Sequence, residues 1–391
     1  MGTFLLVVGL VLFIGLVIAH ELGHFWAAKR NGVKVEEFGI FFPPRLWGKK
    51  MKGGWDFTVN LLPLGGFVKL KGEHDSDTGK GTFGAASDWA KTKIMLAGVF
   101  VNLLTALGMF TVLAWTGMPH IPAMLPDQFT VKSDTKVTSQ NVLIGQIEPG
   151  SPAAKAGLKR LDIVTGLSDG TKTLNVGETP LSKATHQFAG KKVTITYLRK
   201  GSSKTTAAQL LDEKTVLASR KTDNPKGYLG VVPFEYKIQR STWSAPVVAV
   251  GLTAQLTKMT FVGLGHALQG LGGIIAGALT GNTTARHNAQ TEASSQVSGP
   301  VGIYMVLKEM GTLGVPFLLF IIAILSLTLA IMNVLPIPAL DGGRLYMMLL
   351  SRLTKAKSLT PKMEESIVGW SFMALLGLIV LITIVDVKRF F

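Results

Sequence analysis

Residues 3–24 read TFLLVVGLVLFIGLVIAHELGH, and the placement of the last five decides what kind of protein this is. Thr3 to Ala19 are free of charge. At about 1.5 Å per residue they just reach across roughly 30 Å of hydrocarbon. A cleavable leader would open on basic residues and close on a small-residue site. Met1-Gly2-Thr3-Phe4 has no basic side chain, and the run ends on His20-Glu21. The expectation is a retained membrane helix over about residues 3–24. If the helix continues, His20 and His24 stand at i and i+4 on one face and can chelate a single cation. Glu21 lies beside them, placed to accept a proton from a water. Ionisable groups at this depth are costly and mark functional candidates. The alternative is a helix that stops at His20 and leaves the cluster among lipid headgroups.

Composition agrees with the membrane reading. Of 391 residues, 47% are hydrophobic and 16% charged, and 40 Lys and Arg against 24 Asp and Glu give a net charge of +16. Soluble domains carry nearer a quarter charged residues. An apolar yet basic chain fits spans joined by cationic loops, and excludes disorder, collagen and coiled coil. With no cysteine, any metal must be held by His and carboxylates. No nucleic-acid partner is expected.

Three further uncharged stretches are long enough to span: Ile94 to Gly117, Met310 to Leu340, and Ser366 to Val385. The expected fold is a polytopic α-helical membrane protein with about four transmembrane helices. Residues 25–93 hold twelve Lys or Arg and the first 24 residues none. Basic loops stay inside, so the N-terminus is expected outside and this loop in the cytoplasm. Arg344, Arg352, Lys355, Lys357 and Lys362 place the loop between spans three and four on the same side. Lys388 and Arg389 fall on the opposite side, against the scheme. Residues 34–72 read as a membrane-associated β-hairpin. Residues 127–240 alternate short β-branched runs with Gly, Pro, Asp and Ser turns, as an external α+β domain would. Residues 241–309 read as an interfacial amphipathic helix followed by a polar loop at 282–299.

A catalytic zinc takes three protein ligands and one open position. Glu36, Glu37, Glu73, His74 and Asp75 are candidates for the third ligand in the first loop. Asp341 differs from them, because it closes a run of 31 uncharged residues. Pro336 and Pro338 break the helix just before it, and Gly342-Gly343 allow a turn. A broken helix at membrane depth must be covered by protein or water, and its lone carboxylate needs a partner. An Asp that simply opens the next loop is the alternative. If residues 243–281 do not cross the bilayer, spans one and three run in the same direction and Asp341 meets the histidines at one level.

With HELGH at 20–24 and NVLPIPALDGG at 333–343, the chain resembles the site-2 protease family of intramembrane zinc metalloproteases, above all its bacterial RseP/RasP-like group. FTVNLLPLGGFVKLKGE at 57–73, LAGVFVNLL at 96–104 and SGPVGI at 298–303 extend the likeness. The resemblance implies one zinc ion on His20, His24 and Asp341, and Glu21 as catalytic base. It also implies Asn333, together with Pro336, Pro338, Phe67 and Val68, as support for the substrate or the developing oxyanion. GQIEPGSPAAKAGLKRLDIV at 145–164 resembles a PDZ segment. Gly227-Tyr228-Leu229-Gly230 resemble its carboxylate-binding loop, which implies binding of peptide C-termini. The chain departs from the family at Phe42-Pro43, at Val99, and at Leu161, where Gly commonly precedes the Asp.

The implied protein cleaves single-span membrane proteins within or near the bilayer, such as anti-sigma factors or remnant signal peptides. It would be a multi-pass protein of a bacterial cytoplasmic membrane, with its active site near the cytoplasmic side. A scaffold working through the PDZ-like domain, or a transporter with a polar midplane site, are the rival readings.

Overall fold

The structure is a computed structural model and describes residues 2–73, 77–122, 124–199, 201–222, 225–280, 282, 299–354 and 360–390. His74, Asp75, Lys355, Lys357 and most of the polar 282–299 loop lie outside these residues. The chain divides into two compact units, one of residues 1–112 with 249–391 and one of Leu113–Val248.

In the first unit, α1 (Gly2–Arg30) does not stop at His20 but runs on for ten residues to Lys29 and Arg30. The basic pair sits in the last turn, where a helix end favours positive charge. His20, Glu21 and His24 therefore share one continuous helix. Next come β1 (Val35–Lys50) and β2 (Asp56–Leu70). Their pairing doubles back. Phe38 pairs with both Phe57 and Val68, and Gly39 with both Thr58 and Phe67. The 37–40 segment thus lies between 56–59 and 66–69, and the 66–70 segment forms an outer edge among the described residues. Phe25, Phe38, Leu70 and Ile94 join α1, the sheet and the next helix in one apolar cluster.

Helix α2 (Asp88–Thr116) starts earlier than the uncharged stretch, because Lys91 and Lys93 can ride in its first turns. Later in the chain come α6 (Ala245–Thr280), α7 (Pro300–Thr312), α8 (Val315–Val334), α9 (Asp341–Leu353) and α10 (Pro361–Phe390). The expected 310–340 span is corrected here. The helix breaks at Leu313-Gly314, where Gly314 takes φ +110° and Pro316 cannot donate in the first turn of α8. Residues 335–340, with both prolines, are not helical. The stretch after Asp341, read as loop, opens with the helix α9. Tyr346, Leu349, Leu350 and Leu353 line its exposed face at i, i+3, i+4 and i+7, while Leu345 and Met348 pack against Met95.

Among the described residues, five helices are long and apolar enough to cross a membrane: α1, α2, α6, α8 and α10. The sequence reading expects about four spans; the fifth helix of that length is α6, which that reading places along the interface.

Among the described residues, the second unit is built on an antiparallel sheet of seven strands: β3 (Met118–His120), β4 (Lys136–Ile147), β5 (Ile163–Ser168), β6 (Thr173–Asn175), β7 (Lys192–Arg199), β8 (Ser202–Gln209) and β9 (Val231–Arg240). The order is β3-β9-β4-β5-β7-β8, with β6 on β5. Three short helices attend it: α3 (Pro152–Lys155), α4 (Leu181–Gln187) and α5 (Glu213–Ser219). Ile144, Leu167, Phe188, Ile195 and Leu229 fill its core. Alternating apolar residues on β7 explain why one face is buried, since side chains on a strand alternate between faces. Ser151 caps α3 by accepting from Ala154 N. Leu161 takes φ +70°, the conformation that glycine adopts freely. That is the position where the sequence departs from the PDZ pattern.

Candidate metal centre

One turn of α1 carries His20 and His24, and the first residue of α9 carries Asp341. His20 Nε2 and His24 Nε2 are 3.2 Å apart, and each is 3.2 Å from Asp341 Oδ2. Both imidazoles are buried. Among the described residues these three form the one His/Cys/Asp/Glu group gathered closely enough to hold a metal. Of the other carboxylates considered for the third position, the three that the structure describes are engaged elsewhere. Glu37 accepts from Thr58 Oγ1 at 2.6 Å, Glu36 pairs with Lys69 at 3.5 Å, and Glu73 pairs with Arg344 at 3.0 Å.

The triangle fits zinc. Nitrogen and oxygen ligands about 2.0–2.2 Å from a tetrahedral zinc stand roughly 3.3 Å from one another. The polar bookkeeping points the same way. His24 Nδ1 donates to Ile94 O at 2.8 Å, so a neutral His24 turns a lone pair towards Asp341. Asp341 Oδ2 is inaccessible to solvent and receives no hydrogen bond among the described residues. A lone pair and an unsatisfied carboxylate oxygen facing each other at 3.2 Å call for a cation between them.

Helix α2 closes the back of the site through Ile94, Gly98 and Asn102, spaced i, i+4, i+8 on one face. An added Cβ on Gly98 would stand 2.7 Å from His20 Nδ1 and would also strike His24 Nε2. Only glycine lets α2 approach this closely. Asn102 is fully buried, with its carboxamide 3.2 Å from His20 Nδ1. The sequence reading did not single it out. The available signal was an amide inside an otherwise apolar span, within the quoted LAGVFVNLL.

Glu21 faces the sheet, since a Cβ on Gly66 would lie 3.0 Å from Glu21 Cγ. Phe67 packs over Gly39 and stacks on Phe42 at 6.3 Å. Val68 packs with the Phe25 cluster, so both residues sit on the edge segment that passes Glu21. Asn333 lies in the last turn of α8, half-buried, followed by the non-helical Pro336 and Pro338. In the second unit Gly227 to Gly230 precede β9. Gly230 N donates to Gly227 O, Leu229 O accepts from Ala153 N, and the Tyr228 ring lies 5.4 Å from His186.

Apolar helices of spanning length that close two imidazoles and a carboxylate around one point, beside a glutamate, define a membrane protein with a metallopeptidase-type centre. The chain belongs to peptidase family M50, whose model matches residues 8–378. It is 29% identical to a Clostridium perfringens protein named as a zinc metalloprotease, covering 98% of each chain. It is 28% identical to a Campylobacter jejuni protein with a name of the same kind, covering 96% of this chain and 90% of that one. It is 25% identical to an Enterococcus faecalis protein named as the protease Eep, covering 100% and 99%. The likeness to site-2 proteases read from the sequence stands.

Proposed function

We propose that the protein is an intramembrane zinc metalloendopeptidase that hydrolyses peptide bonds within or near the transmembrane segment of single-span membrane proteins. The observation that carries this reading is the 3.2 Å triangle of His20 Nε2, His24 Nε2 and Asp341 Oδ2. Those three atoms would hold the ion. When bound, zinc acidifies a water and polarises a scissile carbonyl. Glu21 takes the proton on its carboxylate and later returns it to the leaving amine. Burial of both histidines strengthens the charge interactions within the site.

A substrate helix hides its carbonyls in intrahelical bonds and must unwind before attack. The 66–70 edge offers replacement backbone partners by strand addition, and it passes directly over Glu21. Asn333, in the last turn of α8 before the break at Pro336 and Pro338, is the side chain that would donate to the developing charge, since the N–H groups at the break are already bonded. On the 231–236 stretch, β9 has no strand on its outer side among the described residues, since β3 reaches only Lys237 to Gln239. That open edge, beside Gly227 to Gly230, supports peptide C-terminus binding by the PDZ-like unit. The bacterial relatives support a bacterial cytoplasmic membrane, and loop charge supports an orientation with the N-terminus and the 127–240 domain outside. An α6 lying along the interface keeps α1 and α8 parallel in that scheme.

Metal analysis of the purified full chain, together with co-expression of wild type or Glu21→Gln with tagged single-span proteins, tests the reading. Stoichiometric zinc in both, with fragments only from wild type, is expected. Metal-free wild-type protein would overturn it in favour of a scaffold.

A further inference from the structure

We propose that Asn102 is a positioning residue for the metal centre, one that fixes His20 in the tautomer able to bind the ion through Nε2. The inference rests on the metal-binding reading above.

The two histidines need the same thing from different sources. A neutral imidazole that ligates through Nε2 carries its proton on Nδ1, and a hydrogen bond from that proton sets ring angle and tautomer. His24 has such an acceptor in Ile94 O. The group facing His20 Nδ1 is the Asn102 carboxamide at 3.2 Å. A carboxamide offers an oxygen and a nitrogen in nearly the same shape, so either can face the ring. With Nδ2 towards the ring, His20 Nδ1 must accept and its proton moves to Nε2, into the ligand triangle. In that arrangement Asn102 Oδ1 is buried with no hydrogen-bond partner among the described residues. A half-turn of the amide brings Oδ1 to the ring, gives that oxygen a donor, and frees the Nε2 lone pair for the ion. The need for a free Nε2 lone pair on His20 therefore selects the second arrangement for the loaded site.

The residue is well held for this task. It is fully buried, and its main-chain oxygen accepts from Ser326 Oγ of α8 at 2.8 Å. Gly98, one turn earlier on the same face, is what allows α2 to bring the amide within reach.

The test is zinc affinity of the full-length detergent-solubilised protein, measured by competition with a chromophoric chelator. The variants are Asn102→Leu, which keeps volume but offers no acceptor, and Asn102→Asp, which keeps the acceptor. Loss of an outer-shell partner costs about 10–100-fold in metal affinity. Asn102→Leu is expected to fall in that range, while Asn102→Asp stays within a few-fold of wild type. A packing role gives the reverse order, because a carboxylate is the worse guest inside a membrane protein. If Asn102→Leu does not purify, Asn102→Ala replaces it with the same expectation. Wild-type zinc affinity in the Leu or Ala variant, or an Asp variant as weak as either, overturns the inference. Absence of zinc from wild type overturns the metal reading itself.

Discussion

Arg344 reaches 3.0 Å to Glu73, a contact that ties the helix headed by Asp341 to the end of the sheet beside Glu21. Glu73 also accepts from Leu70 N at 2.9 Å, so it closes β2 with its other oxygen. The pair is about a third exposed, and such pairs contribute roughly 0.2–1 kcal/mol. Arg344→Ala should weaken zinc binding by no more than about fivefold. The charge exchange Glu73→Arg with Arg344→Glu should recover part of the loss, read as a coupling in a double-mutant cycle. Equal zinc affinity in all four proteins would show that the pair does not position Asp341.

Gly98 makes room for two imidazoles at once. Gly98→Ala should cost at least tenfold in zinc affinity while leaving the protein in the membrane, because the added carbon meets ring atoms and not a flexible side-chain end. Metal content after dialysis against a weak chelator is the measurement.

Gly66 runs over Glu21 with almost no clearance. Gly66→Val should abolish cleavage with zinc content unchanged, since the new atoms crowd Glu21 Cγ and Gly39 O. Val68→Pro or Phe67→Pro should impair cleavage in the same way, by removing a backbone donor from the edge segment. Full activity in the proline variants would remove the strand-addition step.

Leu161 holds a left-handed backbone at φ +70°. Leu161→Gly relieves about 1 kcal/mol of strain and returns part of it as unfolded-state entropy. Thermal unfolding of the second unit should shift upward by a net amount below about 1 kcal/mol, followed in the full chain.

Asp134 accepts from Ser244 and Thr242 through both hydroxyls and backbone N–H groups, and these bonds hold its carboxyl well below the usual carboxylate range. A depressed folded value means stability that is complete above the unfolded value of about 3.9 and lost as pH falls through the folded one. Wild type should therefore lose melting temperature below about pH 4, and Asp134→Asn should show a smaller loss over the same interval.

Several features could be read directly from the chain. The HELGH run, the proline-broken NVLPIPALDGG, the uncharged stretches and the β-rich 127–240 region depend only on local pattern and charge. They were enough to propose the three ligands and the base. The break at Leu313-Gly314 was missed because a charge-free run does not reveal a backbone turn within it. Helix α9 was missed because basic residues, taken as the mark of a loop, sit on the polar side of an amphipathic helix.

The sequence by itself determined which side chains can ligate, and that they lie at the ends of apolar segments. Composition and spacing are properties of the chain alone. Only the tertiary structure decided that Asp341, and not Glu36, Glu37 or Glu73, meets the histidines at 3.2 Å. It alone brought Asn102 to His20 and Gly66 over Glu21. These approaches depend on how helices and strands distant in sequence pack, down to the absence of a single Cβ at Gly98, and no local pattern encodes that distance.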